Sequence, residues 1–169
     1  LWYDTASGKA LQGGTSPSVP TPLSVTPRFQ RGGSILPRRD SVRRSALLAQ
    51  WDPITLHVAP DASGAARGSL TLDDGLSTGG GAAGAAPRLS VDFEYSCAQG
   101  GCRLRATPRA GSTPLPHTVL VDTVLLRGAA DDGAAARPAS LIRGEGAAAE
   151  VAARSTEHGL LVLRLGAPL

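Results

Sequence analysis

Two neighbouring carboxylates, Asp73 and Asp74, end the alternating stretch Gly68-Ser69-Leu70-Thr71-Leu72. Paired carboxylates about 5–9 Å apart across a glycosidic bond can serve as general acid and as nucleophile or base. Neighbours along a strand point to opposite faces, so these two share a substrate only if a turn reorients them. Asp74-Gly75 is a strong turn dipeptide, and a turn aspartate bonds its own backbone. A turn is therefore the expectation. Arg38-Arg39-Asp40-Ser41-Val42-Arg43-Arg44 is basic enough to suggest phosphate binding, yet it contains an acid and no interleaved aromatic. Arginines paired with nearby carboxylates, or simply solvated, are expected there. Gly32-Gly33-Ser34 matches neither a phosphate loop nor a nucleophile elbow. His57, His117 and His158 are scattered, no spacing puts two ligands on one face, and His57 reads as a strand-face residue.

Cys97 and Cys102 flank Ala-Gln-Gly-Gly between two strand candidates. Such a loop can close as a hairpin with the sulfurs in reach, so a disulfide and two free thiols near a loop tip both stay open. Trp2, Tyr3 and Trp51 could make a sugar-stacking platform, but the chain has few aromatic residues and core packing is the expectation. No residue is singled out as catalytic, cofactor-binding or metal-ligating, and no cofactor is expected.

The elements that position these residues read as strands. Pro27 to Arg31 leads through Gly32-Gly33 into Ser34-Ile35-Leu36-Pro37, a double glycine suggesting a bend with close backbone approach. Ile54-Thr55-Leu56-His57-Val58 alternates with period two, as does 68–72, with the turn cluster Pro60 to Gly64 between them. The spacing predicts a hairpin over 53–72. A helical turn or two is expected around Ser45 to Leu48. Further strands are expected over 88–95, 103–107, 118–126 and 159–165, and 144–154 is open between helix, strand and loop. Phe29, Ile35, Leu36, Ile54, Leu56, Val58, Leu70 and Leu72 form the expected first core.

The chain has 169 residues, 17 basic against 14 acidic, and a net charge of +3. Its apolar fraction of 41% includes 27 alanines, which leaves few large side chains for a core. With 21 glycines and 13 prolines it reads as short strands and turns rather than a helix bundle. Arginine dominates the basic residues, Lys9 is the single lysine, and Asn is absent, a bias best explained by a GC-rich genome. The charge is too small and dispersed for a dedicated nucleic-acid binder. No stretch approaches the ~18–20 apolar residues of a membrane span. The start, Leu1-Trp2-Tyr3-Asp4, is not a signal peptide and lacks an initiator Met, so a fragment or a processed piece is expected. The low-complexity run 78–87 divides the chain. The expected class is all-β, two small β-sandwich modules, 1–77 and 88–169, joined by a Gly/Ala-rich linker at 78–87.

One ordered series carries more information. It runs Trp2-Tyr3-Asp4, Pro22-Leu23, Pro27-Arg28-Phe29-Gln30-Arg31-Gly32-Gly33-Ser34-Ile35-Leu36-Pro37, Val42-Arg43-Arg44-Ser45, Asp52-Pro53-Ile54-Thr55-Leu56-His57-Val58-Ala59 and Gly68 to Gly75. It resembles the C-terminal part of glycoside hydrolase family 31 over 1–75, and its Arg-Arg-Ser and Asp-Pro-Ile-Thr-Leu steps are nearest the glucosidase II branch. Thr118 to Gly128 and Gly159 to Arg164 resemble the family's distal strands more weakly; 78–116 does not align. The resemblance implies a retaining α-glycosidase that removes α-1,3-linked glucose from N-glycans in the endoplasmic reticulum lumen. It implies proximal and distal β-domains, a (β/α)8 catalytic barrel as the partner of this chain, and a lectin-like β-subunit. The barrel and its two aspartates have no match here, so a scaffolding fragment, inactive alone, is expected. Each module should lack one edge strand, a liability for solubility. The alternative is a stand-alone carbohydrate-binding or adhesion module.

Overall fold

The computed structural model describes residues 1–77, 87–98, 101–113, 115–128, 139–141, 149–156 and 160–164. Almost every regular element among them is a strand, as the composition requires. Strands β1 (Trp2–Asp4), β2 (Ala10–Leu11) and β3 (Phe29–Arg31) form a small antiparallel sheet in the order β2-β1-β3. Nine more follow: β4 (Ser34–Arg38), β5 (Ile54–Ala59), β6 (Ala65–Asp73), β7 (Arg88–Ala98), β8 (Gly101–Pro108), β9 (Val121–Arg127), β10 (Ala139–Leu141), β11 (Ala149–Thr156) and β12 (Leu160–Arg164). They join in the order β10-β11-β12-β9-β5-β4-β6-β7-β8. The expected helix over 45–48 is a single 3-10 turn, Leu47–Ala49, and 144–154 contributes the strand β11. The linker stretch 78–86 lies outside the described residues.

The core forms around β5. All six of its residues are buried, and it pairs antiparallel with β4 and parallel with β9. Ile54, Leu56 and Val58 pack with Ile35, Ala66, Phe93, Tyr95, Val121, Val124 and Leu126. Thr55 and His57, on the other face of the pleat, are also covered. An alternating sequence predicts one wet face; here the polar face of β5 is buried because Gln30 of the small sheet and Arg127 of β9 lie against it.

The expected hairpin over 53–72 does not form. The turn itself is present: Asp61 Oδ1 accepts from Ser63 N at 2.8 Å and Ala65 N at 3.1 Å, and Gly64 takes φ +79°. The strands it connects are not neighbours, since both edges of β5 are occupied and β6 leaves to pair with β7. β4 and β6 meet in parallel at one residue pair, Ser34 with Arg67. They come so close that a Cβ on Gly68 would lie 2.1 Å from the carbonyl oxygen of Ile35. The double glycine fulfils its expectation of a bend, with Gly33 at φ +84°.

The large sheet includes strands from both sides of 78–87. β6 and β7 pair from Ala65–Ser96 to Asp73–Arg88, and residues from both sides of that stretch share one core. Two expected core residues face outward instead, Phe29 at 38% and Leu36 at 45% exposure. In β3 the inward residue is Gln30, so the strand's phase is the reverse of what its apolar residue suggests.

Candidate functional site

Among the described residues, a buried polar cluster joins the small sheet to the large one. Gln30 donates through Nε2 to the His57 carbonyl at 2.9 Å and the Ser34 carbonyl at 3.2 Å. Its Oε1 accepts from Arg127 Nε at 3.1 Å. Arg127 also reaches His57 Nδ1 at 3.5 Å through NH2 and the Thr5 carbonyl at 3.5 Å through NH1. His57 Nε2 lies 2.8 Å from Asp40 Oδ2, and Asp40 pairs with Arg38 at 3.2 Å.

This geometry fixes the state of the ring. A guanidinium offers only N–H donors, so the His57 nitrogen facing it, Nδ1, accepts. Nε2 then carries the proton and donates to Asp40. Burial holds the His57 pKa below its usual value, against the pull of the Asp40 hydrogen bond and charge, and the cations Arg38 and Arg127 add to the depression. Burial and Arg38 likewise work against the charge of Arg127, with Asp4 in its favour. An Asp–His pair is the orienting half of a hydrolytic triad. Here the second ring nitrogen is occupied by Arg127 rather than by a nucleophile's hydroxyl or thiol. The arrangement therefore connects the two sheets.

The other sequence candidates are also engaged in structure. Asp73 Oδ1 accepts from Gly75 N at 3.0 Å, and Asp74 Oδ1 from Leu76 N and Ser77 N at 3.1 and 2.9 Å. These are turn aspartates, and the Ser77 hydroxyl with the backbone N–H groups lowers the Asp74 pKa. Arg43 grips Asp52 in a bidentate pair at 2.8 and 2.9 Å, and Arg39 donates to the Gln50 carbonyl at 2.8 Å. The basic run is thus tied to its own loop. An open groove of about 360 Å³ beside it is lined by Arg39, Leu47, Gln50, Leu72 and Asp73. The Gln50 amide in its wall donates to the Asp74 carbonyl at 2.7 Å. Among the described residues no group of three or more His, Cys, Asp or Glu could hold a metal ion.

The three aromatic candidates have different surroundings. Tyr3 is buried and donates to the Pro60 carbonyl at 2.9 Å, while Trp2 beside it is 42% exposed. Trp51 packs edge-on against His117, with ring centroids 4.8 Å apart. His158 lies outside the described residues. Cys97 and Cys102, directly opposite in β7 and β8, form a disulfide.

Gln30, Asp40 and Arg127 escape a motif search because their connection is tertiary. The signal in the sequence is a polar residue at an inward strand position: Gln30 between Phe29 and Arg31, and Arg127 ending the run Val124-Leu125-Leu126.

No family model matches the chain. Curated relatives do. The chain is 48% identical over 75 residues to human neutral α-glucosidase AB, which covers 44% of the chain and 8% of that protein. It is 44% identical over 77 residues to a probable glucan 1,3-α-glucosidase of Oryza sativa subsp. japonica, covering 46% and 8%. The matched segment therefore spans less than a tenth of the length of these relatives. Among solved structures, a heterodimeric complex of ER glucosidase II, its catalytic subunit bound to the binding domain of the regulatory subunit, superposes with a TM-score of 0.71. That match has 22% identity and covers 99% of this chain and 19% of the other. Over close to half its length, then, the chain is similar in sequence to α-glucosidases of glycoside hydrolase family 31, glucosidase II among them, and nearly all of it has a fold found within the glucosidase II α-subunit.

Proposed function

We propose that this chain is a non-catalytic β-scaffold belonging to a retaining α-glucosidase of the glucosidase II kind. In this reading the parent enzyme trims α-1,3-linked glucose from N-glycans in the endoplasmic reticulum lumen. The chain packs against a (β/α)8 barrel that carries the catalytic aspartates, and a lectin-like β-subunit completes the enzyme. The observation that carries the reading is the 48% identity over 75 residues with neutral α-glucosidase AB. Its support in the geometry is that the candidate side chains described above bond the chain itself. Asp73 and Asp74 hold a turn, and Asp40 and His57 hold a sheet junction.

The experiment begins with the transcript upstream of the Leu1 codon. An in-frame barrel with the two family aspartates supports the scaffold. A reading frame that opens near Leu1 overturns it. Expression of the encoded protein with and without residues 1–169 then measures the contribution. Hydrolysis of an α-1,3-glucosyl substrate is expected from the whole protein, is expected to collapse without this segment, and is expected to be absent from the segment alone.

A further inference from the structure

We infer that Cys102 is a site of thiol–disulfide exchange, at which a small peptide thiol of the glutathione class attaches to the folded chain. The two cysteines face each other in the β7–β8 register, yet their surroundings differ. Cys97 packs against the core, its N–H donates to the Gly64 carbonyl at 3.1 Å, and a Cβ at Gly64 would lie 3.4 Å from the Cys97 Cβ. Cys102 is exposed on β8, the last strand in the sheet order. A thiolate must approach a disulfide along the sulfur–sulfur axis, and of the two residues Cys102 is exposed while Cys97 is half-buried, which favours attack at Cys102.

The leaving sulfur is also prepared. The Tyr95 hydroxyl sits 2.8 Å from Cys97 Sγ and can donate to it. In the exchange the incoming thiolate sulfur bonds to Cys102 Sγ and the Cys97–Cys102 bond breaks. Its electron pair stays on Cys97 Sγ, which accepts the Tyr95 hydrogen bond and then takes a proton from water. One disulfide replaces another, so no oxidant is consumed. The fold tolerates this opening. The bond closes a loop of only four residues, and a cross-link over so short a loop constrains the unfolded chain little. β7 and β8 remain paired from Ala98–Gly101 to Val91–Pro108, and β7 is held along its other edge by β6.

The test uses the whole chain, folded, incubated with reduced glutathione near neutral pH, quenched with acid, alkylated and mapped by peptide mass. The expected product carries glutathione on Cys102 and the alkyl group on Cys97, with the β-sheet circular dichroism unchanged. An adduct chiefly on Cys97, or reaction only in denaturant, overturns the inference. Tyr95→Phe is expected to slow the exchange about threefold to tenfold, by making Cys97 a poorer leaving group; an unchanged rate in the folded variant removes Tyr95 from the step. If that variant does not fold, Cys97→Ser keeps the question open to measurement. Its free Cys102 should react with oxidised glutathione in the native state, and an inert thiol there overturns the assignment.

Discussion

Arg127 donates through Nε to Oε1 of Gln30 at 3.1 Å, joining two buried side chains 97 positions apart in the chain. One belongs to the small sheet and the other to the large sheet, so this bond and those around it set how the sheets sit together. A buried polar group left unpaired costs more than a paired one contributes. Gln30→Leu removes the acceptor of Arg127 and the donor of the His57 and Ser34 carbonyls together. Urea unfolding is expected to show a loss of about 2–4 kcal/mol. Adding Arg127→Met should restore part of that loss, because the stranded guanidinium is then gone; a double variant that loses the full sum of the single changes would show the two side chains to be independent.

The same cluster predicts the response to acid. The His57 pKa is depressed in the folded chain by burial, so below the unfolded value of about 6.5 the unfolded chain takes up a proton that the folded chain refuses. Stability is present above that pH and is lost as pH falls toward the folded value. The melting temperature should therefore fall between pH 7.5 and 5.5. In His57→Gln that slope should flatten, at a lower overall stability. The carboxylates with lowered pKa, among them Asp4, Asp61 and Asp92, add their own losses at more acid pH, below about 4. A native chain whose melting temperature stays level from pH 7.5 to 5.5 would refute the assignment to His57.

Asp52 gives a local rather than a global prediction. Its carboxylate, 10% exposed, receives both donors of Arg43 and closes the loop that carries the arginine run. Replacing it with Asn keeps the shape but removes one of the two acceptors a guanidinium needs. The segment 38–51 should become the first site of limited proteolysis, with cutting several-fold faster than in the native chain, while the β-sheet spectrum is retained. Arg44→Ala, outside that pair, should leave the pattern unchanged.

The strands were legible because their chemistry is local. Alternation over 54–58 and 88–95, and the turn residues at 60–64 and 73–75, all mark structure that forms between near neighbours. The partner of each strand was not legible in the same way. The turn at 60–64 reads as a hairpin because nothing local says that β4 and β9 already flank β5. Phe29 reads as core because composition assigns apolar residues inward, yet Gln30 is the buried residue of the strand. Only the tertiary network of His57 and Arg127 explains the reversal. The turn aspartates and loop arginines were legible for the same reason that the strands were found, since they act over a few residues. The Arg127 cluster, spread over the chain, left just a polar residue in an apolar run as its trace.

Gly68 offers the sharpest test of the topology itself. In a hairpin of β5 with β6, residue 68 would be an ordinary strand position where Ala costs little. In the observed sheet β4 and β6 meet at Ser34 and Arg67, with Arg67 N donating to the Gly33 carbonyl at 3.1 Å. A Cβ at 68 would then stand 2.1 Å from the Ile35 carbonyl oxygen and 2.8 Å from its Cβ. Backbone cannot yield as a flexible side chain does, so the strands must part and the packing of Ile35 against Leu56 and Phe93 opens with them. Gly68→Ala is expected to cost about 3 kcal/mol in chemical denaturation, at the upper end of overpacking effects. Ser69→Ala, one residue on and exposed, should change stability by less than about 0.5 kcal/mol. Equal and small effects at both positions would mean that β4 does not lie against β6, and the sheet order built around β5 would have to be redrawn.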